Sequence, residues 1–272
     1  MLVTVVTPTL NAIAYLDECI RSVERQSGPN VTVEHIVVDG GSTDGTVELA
    51  RSKGTKVLEG TDSGLYDADN KGAVASSGEL IGFLGADDLL LPGALDAVVR
   101  TYQRERRPWL VGGLRWIDGE GRSLGEIAAP PGWMSQSMMA ALGWCCTAQQ
   151  ATYTTRQLFD ELGCFDTTFK VCGDYDFYCK ALADTPWSRV TQTIACFRRH
   201  GANLSMGSGE GEFDEYGLIL ERHARASHLA RAVERQTLRG YLNARNPTWA
   251  IRKKVGARRS ARASAPADSS AE

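Results

Sequence analysis

The sequence predicts an α/β protein with a mostly parallel sheet, flanking helices and a helical C-terminal extension. Apolar strand patterns alternate with amphipathic helix patterns over about the first 100 residues. Such alternation is typical of a parallel sheet with helices on both faces. Clusters of Gly, Asp and Pro separate these patterns and mark the turns between elements. A long helical pattern over residues 213–242 predicts the extension.

The first strand is predicted at residues 2–6 and ends at Thr7-Pro8. Asn11 is a suitable N-cap for the helix that follows, because its side chain can accept a free backbone N–H. The later elements of this half are a strand at 35–38, a helix around Val47, a strand at 56–58, a helix at 66–75, a strand at 80–84 and a helix opened by Pro92.

The second half is predicted as a mixture of hairpins and helices. Its elements are strands at 109–113, 114–117, 124–127, 150–153 and 187–197, and helices at 157–162, 174–182 and 213–242. We therefore expect one large α/β domain over residues 1–205, a helical extension over residues 206–244 and a tail over residues 245–272 that is basic at first and then disordered. From Arg245 to Arg262 there are seven Lys or Arg and no acid, which suits either a solvated tail or contact with an anionic membrane surface.

Composition excludes several classes of function. The net charge of −3 over 272 residues gives no general signal for nucleic acid. The seven cysteines form no Cys-x-x-Cys and no other metal-ligand pattern. An odd cysteine count without a secretory signal favours reduced thiols, so we expect a cytoplasmic location. No apolar run approaches the roughly 20 residues that a membrane span needs.

Carboxylates follow several of the predicted strands. Asp39 follows the second strand, the Asp87-Asp88 pair follows the fourth, and Asp174 and Asp176 follow a Gly-containing loop. Ligands of open α/β sheets bind at the carboxyl ends of the strands. Paired carboxylates there suit a divalent cation that also contacts a substrate phosphate. Turn formation and helix capping are the alternative explanation for each of these acids.

Four segments together resemble family 2 glycosyltransferases of the GT-A fold, a Rossmann-like fold that binds nucleoside diphosphate sugars. They are residues 7–11 (TPTLN), 38–46 (VDGGSTDGT), 64–72 (GLYDADNKG) and 83–88 (FLGADD). The resemblance extends over about residues 1–205. The segment Tyr-Asp-Ala-x-Asn-Lys-Gly is similar to the branch that builds bacterial polysaccharides and glycolipids. The resemblance implies transfer of a sugar from a nucleoside diphosphate sugar to the hydroxyl of a carbohydrate or lipid-linked acceptor, with inversion at the anomeric carbon.

The resemblance also implies a nucleotide site. Asp39 would contact the nucleobase, and Asn70 and Lys71 would lie near the ribose or diphosphate. Asp67 would orient other groups or touch the ligand. The residues expected to line the nucleotide pocket beside the base are Thr7, Pro8 and Thr9.

A divalent cation, Mn²⁺ or Mg²⁺, is the implied cofactor. Asp88 would bind it, and Asp87 would face the ribose or ligate through water. The segment His200-Gly-Ala-Asn203-Leu-Ser205 resembles the family's C-terminal His-x-x-Asn-x-Ser element. In some relatives this His helps to hold metal or diphosphate, and a surface or structural role is the alternative for His200. Ala86 stands where the family's Asp-x-Asp motif has its first acid.

Asp174 matches the family's catalytic base, although Gly173 replaces the Glu that usually precedes it. An ordinary Asp with a pKa of about 3.9 is a weak base, so we expect this carboxyl to be partly buried. Asp176 is the alternative base, and capping of the following helix is the alternative role for Asp174. Gln149 stands where the related branch often has the His of a His-Gln-Ala segment.

Two other classes of function remain open at this point. One is a GT-A-fold nucleotide-sugar-binding module that has lost catalysis, which the departures at Ala86 and Gly173 favour. The other is a dinucleotide-dependent oxidoreductase, which the absence of a Gly-x-Gly-x-x-Gly segment after the first strand disfavours. Acceptor contacts are expected in residues 115–150, where tryptophans can stack on sugar rings or pack in the core. These tryptophans are Trp116, Trp133 and Trp144.

Overall fold

A computed structural model describes residues 1–142, 145, 147–201, 203, 209–223 and 228–245. The strands are β1 Leu2–Thr9, β2 Thr32–Asp39, β3 Lys56–Glu59, β4 Leu80–Phe83, β5 Leu89–Leu90, β6 Trp109–Ile117, β7 Ser123–Ile127, β8 Thr152–Thr155 and β9 Trp187–Arg198. The helices are α1 Ile13–Glu24, α2 Thr46–Ser52, α3 Leu65–Val74, α4 Ala94–Glu105, α5 Gln136–Leu142, α6 Arg156–Glu161, α7 Gly173–Asp184, α8 Gly209–His223 and α9 His228–Arg245. A short 3-10 helix, Gln149–Ala151, precedes β8.

The strands form one sheet in the order β3-β2-β1-β4-β8-β6-β9-β5, with β7 paired to β6. The predicted parallel pairing is found among β3, β2, β1 and β4. Beyond β4 the sheet is mixed, since β8 and β7 pair antiparallel with their neighbours whereas β6 and β9 are parallel. Strand–helix–strand crossovers produce the parallel half. Among the described strands of the mixed half, only β6 and β7 form a hairpin, and the other pairings join strands that are distant in sequence. The predicted fold class is confirmed.

The core has large apolar clusters on the two faces of the sheet. Val5, Leu80 and Val98 belong to the cluster beneath α1 and α4. The opposite cluster contains Trp109, which is fully buried and stacks on Tyr178 of α7. The extension joins this second cluster through buried residues of α8 and α9, namely Ile219, Leu238 and Leu242. The extension therefore packs on the core of the first domain.

The helix expected over residues 213–242 corresponds to α8 and α9, and residues 224–227 between them lie outside the described ranges. One local prediction was wrong. Asn11 does not cap α1: its backbone is left-handed, with φ of 51°, and its side-chain Oδ1 accepts the Thr43 N–H at 3.0 Å. Residue 12 is the N-cap instead, and the first-turn amide of Ile13 donates to Asp44 at 3.1 Å.

Several predictions fall on residues outside the described ranges. These are the stacking role of Trp144, the contribution of Ser205 to the His-x-x-Asn-x-Ser element and all of the tail beyond Arg245. None of the helices in the described ranges has the length and apolar character required to cross a membrane.

Candidate active site

A cavity of about 1130 Å³ opens at the carboxyl ends of β1 and β4. The N-terminus of α7 and the loop after β9 complete its wall. Five of the residues predicted to form the site line this cavity together: Pro8, Asp87, Asp88, Asp174 and His200. Parallel strands end at one edge of the sheet, which explains why residues so distant in sequence converge there.

The turn after β4 folds the two acids back over Gly85. A Cβ added at Gly85 would lie 2.8 Å from Oδ2 of Asp88 and 2.9 Å from Oδ1 of Asp87. The two carboxylates thus converge on one point, which only a glycine leaves open. Ala86, which replaces the first acid of the Asp-x-Asp motif, packs against Leu16 and Ile20 and also lines the cavity.

Asp88 is almost completely buried, with 1% of its surface exposed. Its Oδ1 accepts the backbone N–H of Arg198 at 2.8 Å, and its Oδ2 accepts the side-chain amide of Gln150 at 2.7 Å. Burial, and next the nearby charge of Asp87, raise the pKa of Asp88 well above its usual value. A cation between the two carboxylates would reverse this effect.

Asp87 anchors the predicted His-x-x-Asn element. Its Oδ2 lies 2.8 Å from Nε2 of His200 and accepts the side-chain amide of Asn203 at 3.0 Å. The His200 ring also stacks on Tyr15, with centroids 5.0 Å apart. The structure therefore joins His200 to Asp87, not to Asp88, and the role of His200 as a metal ligand stays a prediction.

Arg198 holds this region together, and sequence reasoning missed it. Its side chain is buried, and its guanidinium donates to the Asp87 carbonyl at 2.8 Å, the Gly119 carbonyl at 2.9 Å and Glu18 at 2.6 Å. It also lies 4.6 Å above the ring of Tyr15. An arginine at the end of a strand resembles an exposed charge in sequence, so only its position next to the His element was a possible signal.

Asp174 lies in the first turn of α7 and keeps part of its surface exposed to the cavity. Its Oδ1 accepts the Tyr66 hydroxyl at 3.1 Å and the backbone N–H of Tyr175 at 2.8 Å. Burial is the main cause that raises the pKa of Asp174 to about 6, although these hydrogen bonds oppose the rise. A carboxylate with this pKa is a competent general base near neutral pH.

The replacement of the family's Glu by Gly173 has a steric reason. A Cβ at Gly173 would lie 2.8 Å from two ring carbons of Tyr66. The tyrosine that hydrogen-bonds Asp174 thus occupies the space that a side chain at residue 173 would need. Tyr66 lies within the GLYDADNKG segment, but its contact with Asp174 was not predictable from sequence.

Helix α8 supports the segment that leads into α7. The side chain of Glu215 accepts three successive backbone N–H groups, from Lys170 at 2.6 Å, Val171 at 3.0 Å and Cys172 at 2.8 Å. Its charge also contributes to the raised pKa of Asp174. The adjacent Tyr216 lines the cavity. The extension therefore shapes the site directly, which sequence reasoning did not reveal.

Of the residues predicted to contact the nucleotide, Asp39 and Thr7 form hydrogen bonds with protein groups. Asp39 is buried, and its carboxylate accepts hydrogen bonds from Gly41, Ser42 and Thr9 at distances of 2.5–3.0 Å. Burial opposes ionisation, but these hydrogen bonds outweigh it and lower the pKa of Asp39. The Thr7 hydroxyl lies 2.9 Å from Nε2 of His35, away from the cavity lining. A nucleobase contact by Asp39 remains a prediction.

Asn70 and Lys71 also bond to protein groups. The Asn70 amide donates to the Phe165 carbonyl at 2.9 Å and accepts the Phe165 N–H at 3.0 Å. Lys71 donates to the Thr61 carbonyl at 2.8 Å and to Asp67 at 2.9 Å, and it is half exposed. None of these three motif residues lines the cavity, so their predicted ligand contacts are untested.

The remaining candidate residues differ in whether they line the cavity. Asp176 has no exposed surface and binds His223 of α8 at 2.8 Å, outside the cavity lining. Gln149 lines the cavity and donates to Asp69 at 2.7 Å. Trp116 lines the cavity, whereas Trp133 is 51% exposed and packs edge-on against Tyr241 of α9.

The donor set suits a cation that a substrate phosphate completes. Within the described ranges, no group of three or more His, Cys, Asp or Glu side chains is arranged to hold a metal ion. Magnesium sites of nucleotide enzymes typically use only one or two carboxylates together with substrate phosphates. The carboxylates of Asp87 and Asp88 that converge over Gly85 fit this arrangement.

The chain has a GT-A-type mixed α/β sheet with a carboxylate-lined cavity at the carboxyl ends of its strands, and comparisons with known proteins show its family. The family model described as "Glycosyl transferase family 2" matches residues 4–159. A Mycobacterium tuberculosis protein named PGL/p-HBAD biosynthesis glycosyltransferase is 31% identical over 180 residues, which are 64% of this chain and 67% of that protein. Haloferax volcanii glycosyltransferase AglE is 36% identical over 91 residues, 31% of this chain and 30% of that protein. The chain belongs to glycosyl transferase family 2.

Solved structures give the same fold. S. aureus TarS 1-349 in complex with UDP-GlcNAc superposes with a TM-score of 0.64 at 23% identity, covering 89% of this chain and 72% of that one. The longer S. aureus TarS chain gives a TM-score of 0.62 at 22% identity, and 43% of it is covered. At this identity the likeness concerns the fold alone.

Proposed function

We propose that this glycosyltransferase moves a sugar from a nucleoside diphosphate sugar to an acceptor hydroxyl with inversion at the anomeric carbon. The observation that carries the proposal is Asp174, a partly exposed carboxylate with a pKa raised to about 6, which lines the same cavity as Asp87 and Asp88. One general base and one site that stabilises a leaving diphosphate are sufficient for a single in-line displacement.

Asp87 and Asp88 are the groups proposed to hold a divalent cation, which would neutralise charge on the leaving diphosphate. Asn203 and His200 orient Asp87, while Gln150 and the Arg198 backbone orient Asp88. At the other side of the donor, Asp174 removes the proton of the acceptor hydroxyl. Pro8, Thr9, Asp39, Asn70 and Lys71 remain the proposed surroundings of the nucleotide, with the Asp39 turn placed by Thr9 and Ser42.

The test is turnover with a panel of donors, beginning with the UDP-GlcNAc that the TarS structure contains. Release of nucleoside diphosphate that requires manganese or magnesium and an added acceptor supports the proposal. NMR of the anomeric proton in donor and product tests inversion. Tight donor binding without any transfer would instead support a nucleotide-sugar-binding module without catalysis.

A lipid-linked or polysaccharide acceptor is proposed because a relative is named for PGL/p-HBAD biosynthesis and because the sequence carries seven Lys or Arg and no acid between Arg245 and Arg262. Each such cation near an anionic surface contributes about 1 kcal/mol to binding. Truncation after Asn246 should reduce sedimentation with phosphatidylserine-containing vesicles, and raised salt should reproduce this loss. Equal sedimentation of both forms would indicate that the basic segment is solvated and does not bind the membrane surface.

A further inference from the structure

The 3-10 helix Gln149–Ala151 bridges two buried carboxylates of the site. The side-chain amide of Gln150 donates to Oδ2 of Asp88 at 2.7 Å, and that of Gln149 donates to Oδ2 of Asp69 at 2.7 Å. Both glutamines line the cavity. Two successive residues thus reach two acids on different elements, one after β4 and one on α3.

Asp69 is unusual because it is a carboxyl with no exposed surface and an incomplete set of partners. Its Oδ1 has no hydrogen-bond partner among the described groups, and its Oδ2 accepts only the Gln149 amide. A buried polar group without a partner is unfavourable and rare in folded proteins. Burial raises the pKa of Asp69, and the charge of Asp174 raises it further, so the two carboxyls lie within electrostatic reach.

The position of Gln149 follows from these two contacts. In an in-line displacement the anomeric carbon lies between the leaving phosphate oxygen and the attacking hydroxyl, so the transferred ring lies between the phosphate site and the base. The proposed phosphate site is next to Asp88, which Gln150 contacts. Gln149, the residue before Gln150, lines the same cavity as the proposed base Asp174 and is held by Asp69. Gln149 therefore borders the space that the transferred ring would occupy.

We propose that Gln149, fixed by Asp69, is a specificity-determining residue that binds a hydroxyl of the transferred sugar. One N–H of the amide is engaged by Asp69, so the amide oxygen and the second N–H are the groups that bind the sugar hydroxyl. Asp69 is a positioning residue, since it acts through Gln149. This inference rests on the proposed function, because it assumes that the cavity holds a nucleoside diphosphate sugar.

The test compares affinities for nucleoside diphosphates and their sugars by isothermal titration calorimetry with manganese present. The probes are UDP with UDP-GlcNAc, UDP-glucose and UDP-galactose, and GDP with GDP-mannose. Gln149→Ala removes the side-chain amide that would bind the sugar, and Asp69→Leu removes the carboxyl that holds this amide. Asp69→Asn keeps an acceptor for Gln149. Gln157→Ala is the matched control, because Gln157 makes an exposed contact with Glu161 on α6.

In the wild type, one sugar should strengthen binding over the free nucleoside diphosphate. Gln149→Ala and Asp69→Leu should reduce this gain by roughly 2- to 10-fold, the value of one neutral hydrogen bond, while affinity for the free diphosphate stays unchanged. Asp69→Asn and Gln157→Ala should retain the gain. Gln149→Met replaces Gln149→Ala if the alanine variant does not fold.

An unchanged gain in both Gln149→Ala and Asp69→Leu overturns the inference. A wild type that binds a nucleoside diphosphate but gains nothing from any of these sugars also overturns it, while the proposed function stands. A wild type that binds none of these diphosphates overturns the inference together with the proposed function.

Discussion

The hydroxyl of Tyr66 lies 3.1 Å from Oδ1 of Asp174, and this contact joins two motifs that are 108 residues apart in sequence. The same hydroxyl lies 2.6 Å from the Val171 carbonyl, so Tyr66 fixes both the base and the loop before it. Gly173 leaves room for the ring. Glycine at position 173, where the family's motif has Glu, thus makes space for the Tyr66 ring. This difference does not require that catalysis has been lost.

Replacing Asp174 by Asn tests the base. Asp174 is not the N-cap of α7, which is Cys172, so the predicted capping role is wrong. Asn has nearly the same shape and keeps an oxygen for the hydrogen bonds from Tyr66 and Tyr175, so a merely structural Asp174 would tolerate the change. As a general base it would not, and turnover should fall by about 10²- to 10⁴-fold with nucleoside diphosphate affinity unchanged. The wild-type kcat/KM should decline below a pH of about 6, where Asp174 becomes protonated. Initial rates across pH check both effects.

The same variant makes a prediction about stability. A raised carboxyl pKa means that ionisation of Asp174 destabilises the folded state above a pH of about 6, and that this effect disappears as the pH falls through 6 toward 3.8. Asp174→Asn should therefore be more stable than wild type at pH 7 by about 1–3 kcal/mol. Asp184→Asn, at the exposed other end of α7, is the control. Normal turnover in Asp174→Asn would contradict the assignment.

Removing the Tyr66 hydroxyl should reduce the fraction of Asp174 that is ionised at neutral pH without removing the carboxylate. The hydrogen bond from Tyr66 lowers the pKa of Asp174, so in Tyr66→Phe the acidic limb of the kcat/KM profile should shift to higher pH. Turnover should fall by roughly 3- to 10-fold, the value of one hydrogen bond, while donor affinity is retained. Tyr102→Phe loses an exposed contact with Glu79 and should leave the profile in place. If the acidic limb of the kcat/KM profile did not shift in Tyr66→Phe, Tyr66 would have no influence on the proposed base.

The sequence predicted the strand ends that build the site, because apolar strands followed by Gly and Asp are a local pattern. It predicted that Asp87, Asp88, Asp174 and His200 belong to the site, and they line the cavity, but it could not predict which other polar side chains do. Asp39 and Asn70 belong to recognisable motifs, yet both satisfy protein hydrogen bonds. Arg198 and Glu215 act through contacts between distant elements, and such contacts leave no periodic signal in one sequence.

Removal of the Asp88 carboxylate tests the cation site. Asp88→Ala should abolish transfer and weaken manganese-dependent binding of nucleoside diphosphate, because one of the two carboxylates proposed to hold the cation is lost. The variant also frees the Arg198 backbone N–H and the Gln150 amide, so its melting temperature must be measured beside its affinity. Asp96→Ala on α4, where Asp96 pairs with Arg100 at the surface, is the control. Full wild-type activity after exhaustive chelation would refute a metal requirement.

Asp176, the alternative base, should instead stabilise the fold. Its fully buried carboxylate binds His223 at 2.8 Å, Arg222 at 3.1 Å and Lys180 at 2.8 Å. Two of these partners lie on α8, so the contacts attach the extension to α7. Burial opposes ionisation of Asp176, but the bonds from His223 and Lys180 outweigh it and lower the pKa to about 2. Asp176→Asn should therefore reduce the free energy of unfolding at pH 7 by at least about 2 kcal/mol.

This contribution has a defined dependence on pH. Because the folded pKa of Asp176 is depressed, the stabilisation is complete above the unfolded value of 3.8 and is lost as the pH falls through about 2. The difference between wild type and Asp176→Asn in urea unfolding should therefore shrink between about pH 4 and 2. Asp160→Asn, which alters an exposed pair with Arg156, is the control. Folded Asp176→Asn should keep near-normal turnover, and a collapse there with normal turnover in Asp174→Asn would move the base to Asp176.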